Sequence, residues 1–64
     1  MFRMKKKYTA IVFFKDKNIV PYKFRNIDNF ISFESYLFKN LQNLDYINYY
    51  DKETKLYYNR KYFN

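Results

Sequence analysis

Tyrosines set among lysines, arginines and asparagines are the groups most able to do chemistry in this chain. They concentrate in the stretch YYDKETKLYYNRKYF, from Tyr49 to Phe63. Aromatic rings stack on nucleic-acid bases while Lys and Arg neutralise phosphates, so such a mixture can form a single-strand binding surface. The same residues also suit the two faces of a hairpin that needs bulky side chains to fold. Other reactive groups are scarce. With Cys, His and Gly all at 0, there are no thiol nucleophiles, Ser-His triads, ordinary zinc sites, dinucleotide fingerprints or Walker-type phosphate loops. Six carboxylates remain. Asp16, Asp51 and Glu53 fall in expected turns, Asp28 at a helix cap, Glu34 on a helix flank, and Asp45 just after the helix. Turn chemistry and solvation account for them, and a domain this small has little room for a deep pocket. The reading is a non-catalytic protein with no cofactor and no metal.

The elements that position these residues are legible from periodicity. YTAIVFF, Tyr8 to Phe14, is rich in β-branched and aromatic residues and reads as a strand. KDKN follows as a turn, with Asn18 expected in a left-handed conformation that closes a loop of Asp16, Lys17 and Asn18. IVPYKFRNI resumes as a strand, and Pro21, which cannot donate a ladder hydrogen bond, assigns it to a sheet edge. In IDNFISFESYLFKNLQNL the period changes: Phe30, Phe33, Leu37, Leu41 and Leu44 form the stripe of an amphipathic helix. Asp28 or Ser32 could cap its start, and Asn43 could help to end it. A second hairpin follows, with Lys52, Glu53 and Thr54 in the turn, Lys55 in a left-handed position, and Tyr50 facing Tyr57 across the strands. The fold class is α+β: ββαββ, a four-stranded sheet of two antiparallel hairpins with one helix packed on one face. Residues 1–7 form a basic N-terminal arm and residues 8–64 a single domain.

The segment YDKETKLY resembles the second hairpin of the immunoglobulin-binding domains of protein G, and the order strand, strand, helix, strand, strand is similar. The resemblance implies that the first and last strands lie side by side in the middle of the sheet. Antibody binding does not follow from it, because function belongs to sites rather than folds.

One helix covers one face of a four-stranded sheet, so the other face is open to a partner. The first hairpin pairs Phe14 with Val20 and places Tyr8, Ala10, Val12, Phe14, Val20, Tyr22 and Phe24 on the core face, with Ile11, Phe13, Lys23 and Arg25 on the open one. The second hairpin offers two sets. Tyr46, Tyr50, Tyr57 and Phe63, with Asn48, Asn59 and Lys61, are assigned to the core because Leu44 shares their phase. Ile47, Tyr49, Tyr58, Arg60 and Tyr62 are then assigned to the open face. A one-residue slip reverses the assignment.

The net charge of +7 points to an anionic partner, although Arg3, Lys5, Lys6 and Lys7 supply much of it and leave the body only mildly basic. The arm could follow a phosphate backbone or an anionic surface, or act as a solubilising tail. Lys, Asn, Phe, Ile and Tyr dominate the chain, and all have A/T-rich codons, so codon drift in a phage or other mobile element is a competing source of the composition. No apolar run suits a signal peptide or a membrane span. The expectation is a cytoplasmic protein with no membrane partner. It acts as an inhibitor or adaptor on a host protein or nucleoprotein complex, or as a single-stranded nucleic-acid-binding module, with weak homodimerisation open. The candidate binding residues are Lys5, Lys6, Lys7, Phe13, Lys23, Arg25, Tyr49, Tyr58, Arg60 and Tyr62.

Overall fold

At 64 residues, a domain buries only about 60% of the surface exposed by its unfolded chain, so large aromatic side chains must fill much of its core. The structure, a computed structural model, describes residues 6–51 and 54–61. Its elements are β1 (Tyr8–Phe14), β2 (Tyr22–Ile27), α1 (Phe30–Asn40), β3 (Leu44–Asp51) and β4 (Lys55–Lys61), the expected ββαββ order of an α+β fold. All neighbouring strands are antiparallel, in the order β2-β1-β3-β4.

That order corrects the one implied by the likeness to protein G. β1 is flanked by β2 and β3, and β4 is an edge. The difference is which strand of the second hairpin pairs with β1: here it is β3, reached from β2 by a helical crossover that passes only β1. β2 and β3 both run antiparallel to β1 and hence parallel to one another, and parallel strands need a crossover, which α1 supplies. β4 can then join only by hairpin to the far side of β3. β2 lies at the other edge, as Pro21 indicated.

The helix starts and stops for local reasons. Asn29, rather than Asp28 or Ser32, is the N-cap: its side-chain oxygen accepts from the Ser32 amide at 3.0 Å. At the other end the Leu41 amide donates to the Leu37 carbonyl at 2.8 Å. Leu37 is fully buried, with Phe30, Phe33 and Leu41 packed around the same core. Leu44 leaves the helical stripe and opens β3, yet still enters the core.

The turns differ from expectation. The β1–β2 loop is longer than three residues, so Val20 lies in it, 77% exposed, and neither pairs with Phe14 nor joins the core; Asn18 is not left-handed. Asp16 instead organises it, accepting from the Asn18 amide at 2.9 Å through its side chain and from the Ile19 amide at 3.1 Å through its carbonyl. Lys55 pairs with Asp51 as extended strand, Tyr50 pairs with Leu56, and the register shifts between Tyr49 and Tyr50. A Tyr50–Tyr57 pair therefore does not form.

Left-handed backbone, normally a role for glycine, falls here to asparagine, the side chain that tolerates it best. Asn26 (φ 62°) sits where the β1–β2 register shifts, and Asn43 (φ 60°) turns the chain from α1 into β3. The Asn43 carbonyl also accepts from the Lys15 amide at 2.9 Å.

Two outcomes follow for stability. Leu37→Ala is expected to cost about 2–5 kcal/mol by urea denaturation, from lost transfer energy and the cavity left behind. Asn43→Gly is expected to be neutral or stabilising, and Asn43→Ala to cost about 1–2 kcal/mol, the left-handed penalty for a side chain with a Cβ. An Ala variant as stable as the Gly variant would contradict the turn.

Candidate functional site

Which face of the second hairpin meets the helix decides the site. The core contains Ala10, Val12, Phe14, Leu37, Leu44, Ile47 and Tyr49. Ile47 and Tyr49 are thus inside, and the face assignment from the sequence is reversed in β3. The cause is a register shift between Phe13 and Phe14: Phe14 pairs with Leu44 but Phe13 with Tyr46, leaving Asp45 as the extra residue. Such a bulge changes phase by one, so Leu44 and Ile47 share a face although three positions apart.

Tyr49 is 0% exposed. Its ring stacks on Phe30, with centroids 3.8 Å apart and planes within 15°, and meets Phe33 edge-on at 6.2 Å. Its hydroxyl donates to Glu34 Oε2 at 2.6 Å, and Arg60 Nε lies 3.6 Å from Glu34 Oε1. Tyr58 stacks against Tyr49 at 6.2 Å on the same side. Tyr49, Tyr58 and Arg60 therefore belong to the helix layer and not to the open face. Tyr62 and Phe63 lie outside the described residues, as does Lys5.

The open face consists of what the helix leaves uncovered. From β1 it takes Thr9, Ile11 and Phe13, and from β3 their register partners Tyr50, Asn48 and Tyr46. Phe13 and Tyr46 stack with centroids 4.4 Å apart and planes within 14°. Asn59 of β4 donates to Asn48 Oδ1, and Asn48 Nδ2 donates to the Tyr50 hydroxyl at 3.3 Å. Lys23 and Arg25 are exposed on β2, alternating with Tyr22 and Phe24, which turn inward to Phe14 and Phe33. Lys61 pairs with Tyr46 from the opposite edge. Phe13, Lys23 and Arg25 thus occupy the expected face, joined by Tyr46, Tyr50 and Lys61, which the phase of Leu44 in the sequence assigns to the core. Ile47 was the available signal: an aliphatic residue has no polar tip to bring to the sheet margin, whereas tyrosine does.

Apart from Asp28, the described carboxylates are engaged elsewhere. Asp16 holds its turn, Glu34 lies between helix and sheet, and Asp45 pairs with Lys17 at 3.3 Å near the sheet end. Asp51 pairs with Lys6 at 2.8 Å, and Asp28 precedes the helix cap. Lys6 is therefore tied to the domain, with its ammonium 6.0 Å from the Tyr8 ring centre. The hydrogen bond and charge of Asp51 raise the Lys6 pKa, and burial followed by a hydrogen bond with Tyr57 raises that of Tyr8. Lys7 is exposed one residue before β1.

No family model, curated protein or solved structure matches this chain. Among the described residues, no helix is long and apolar enough to cross a membrane.

The Glu34–Tyr49 contact predicts an asymmetry. Glu34→Ala is expected to cost about 1–3 kcal/mol, because it orphans a buried hydroxyl, whereas Tyr49→Phe should cost about 0.5–1.5 kcal/mol. The double variant should be no less stable than Glu34→Ala alone, and additive losses in denaturant melts would contradict the pairing. A pH dependence follows from Tyr8, whose ordinary value is 10.0. Its raised pKa means that the folded state holds the phenolic proton more tightly than the unfolded chain does. The stabilisation is complete below the ordinary value and is lost as pH rises through the folded one. Tyr8→Phe should therefore flatten the fall in stability above about pH 10; an unchanged slope would contradict it.

Proposed function

We propose that this chain is a non-catalytic binding module that takes single-stranded nucleic acid on its open sheet face. The observation that carries the reading is charge segregation on an uncovered aromatic surface. Phe13, Tyr46 and Tyr50 run across the two central strands, Lys23, Arg25 and Lys61 stand on the edge strands, and Asp16, Glu34 and Asp51 are engaged away from that face. Bases would stack along the central strands while phosphates meet the basic edges. Asn48 and Asn59, amides that both donate and accept, add hydrogen-bonding capacity between them.

A second reading, an inhibitor or adaptor that docks on a host protein or nucleoprotein complex, draws on a different surface. Ile31, Tyr36 and Phe38 stand exposed on the helix, with Ile31 at 81%, and exposed apolar groups of this kind serve protein contacts. The two readings are compatible in a protein that occupies the nucleic-acid channel of a larger complex.

Fluorescence anisotropy with a labelled oligonucleotide separates them. Tyr46→Ala should weaken binding by about 1–3 kcal/mol through lost stacking, with a thermal melt to confirm that the variant folds. Replacing both Lys23 and Arg25 by Gln should reduce the slope of log K against log salt by about 1.4, roughly 0.7 for each phosphate contact to a single strand. Tyr58→Ala, on the helix side, should leave oligonucleotide affinity unchanged. Wild-type binding no tighter than that of an equally charged lysine-rich peptide would refute the nucleic-acid reading. Loss of a protein complex on replacing Phe38, with oligonucleotide binding weak throughout, would support the second.

A further inference from the structure

A sheet that does not close leaves two edges, each with a row of backbone amides and carbonyls able to take up another strand. Here they are β2 and β4. β2 is a poor template, because Pro21 precedes it and left-handed Asn26 sits where its register shifts. β4 runs from Lys55 to Lys61 with no left-handed residue, and among the described residues nothing pairs with its outer side. Tyr57 and Tyr58 on this strand turn toward Phe30 of the helix yet remain exposed. Beside them stands a flank of the helix carrying exposed Ile31 and Phe38, seven residues apart and so on one side of it. Ile31 lines the same groove as Tyr57, which sets that flank toward β4. An apolar overhang therefore runs alongside the open edge.

Charge selects the occupant. β4 carries Lys55, Arg60 and Lys61 and no carboxylate. Arg60 approaches Glu34, whereas among the described residues no acidic group is ion-paired with Lys55 or Lys61. A second copy of the chain is disfavoured. An antiparallel pair of β4 strands centred on Tyr58 would set Lys55 of each copy opposite Lys61 of the other, and like charges directly opposite repel. We propose that β4 is the docking edge for an acidic extended segment of a partner protein, which adds to the sheet as a fifth strand through main-chain hydrogen bonds. Apolar side chains on one face of that segment lie against Tyr58 and the Ile31–Phe38 flank, and its carboxylates meet Lys55 and Lys61. The added strand lengthens the sheet and leaves the open face free.

Amide exchange followed by NMR on the full chain tests the proposal, with a capped peptide of alternating glutamate and valine as the probe. The β4 amides that point away from β3 are expected to gain about 10-fold or more in protection near saturation, with the β2 amides unmoved. The lysine–valine counterpart should bind about 5-fold or more weakly, and Lys55→Gln with Lys61→Gln should weaken the acidic peptide about 2-fold or more. Both lysines are exposed, and a thermal melt checks that the double variant folds. Two further forms of the acidic peptide, N-methylated at alternate residues in either phase, keep the charge but lose the donors along one edge. One of them should bind about 10-fold or more weakly. Equal affinity for both forms and the parent would show charge attraction without strand addition and overturn the proposal, as would protection on β2 in place of β4. Protection of β4 that grows with protein concentration in the absence of peptide would assign the edge to a second copy instead. The probe carries neither base nor phosphate, so the outcome is independent of oligonucleotide binding.

Discussion

A buried tyrosine hydroxyl has to be hydrogen-bonded, and here that constraint falls on Tyr49, in the middle of the sheet and wholly covered by the helix. Its acceptor, Glu34, sits one helical turn beyond Phe30, and Phe30 stacks on the same tyrosine ring. One side chain thus fixes both the position of the helix along the sheet and its rotation. Arg60 approaches the other oxygen of Glu34 from the edge strand and ties β4 into the same layer. A domain with few aliphatic residues depends on such a device, because much of its core consists of rings with polar tips.

The open face follows from that commitment. Once Tyr49 and Ile47 face the helix, alternation sends Tyr46, Asn48 and Tyr50 to the other side, opposite Phe13, Ile11 and Thr9. Glu34 is drawn to the helix layer by Tyr49, Asp51 is held by Lys6, and Asp45 by Lys17. What remains on the sheet surface is aromatic at the centre and basic at the edges. The polarity of the surface is thus a consequence of how the core satisfies its hydrogen bonds.

The α+β class, the element order and the helical stripe were legible in the sequence because each rests on a strong local period: alternation in YTAIVFF, and the recurrence of Phe30, Phe33, Leu37 and Leu41. The edge position of β2 was legible from Pro21. Strand order was not, since β1 could pair with either strand of the second hairpin and the helical crossover from β2 to β3 is compatible with both. The faces of that hairpin were obscured by two bulges, at Asp45 and between Tyr49 and Tyr50, which break the phase that Leu44 and Tyr57 suggested. A strand written DYINYYD carries tyrosine at both phases, so hydrophobicity alone cannot choose between them. The single aliphatic residue, Ile47, could have.

Nuclear Overhauser contacts of the tyrosine rings with the helix provide the most direct measurement. Cross-peaks from the Tyr49 ring to Phe30, Phe33 and Leu37, with none from Tyr46 or Tyr50 to any helix residue, are the predicted result. Contacts from Tyr46 or Tyr50 to Leu37, with Tyr49 free of the helix, would show that the sheet presents its other face and would contradict both the core and the binding surface described above.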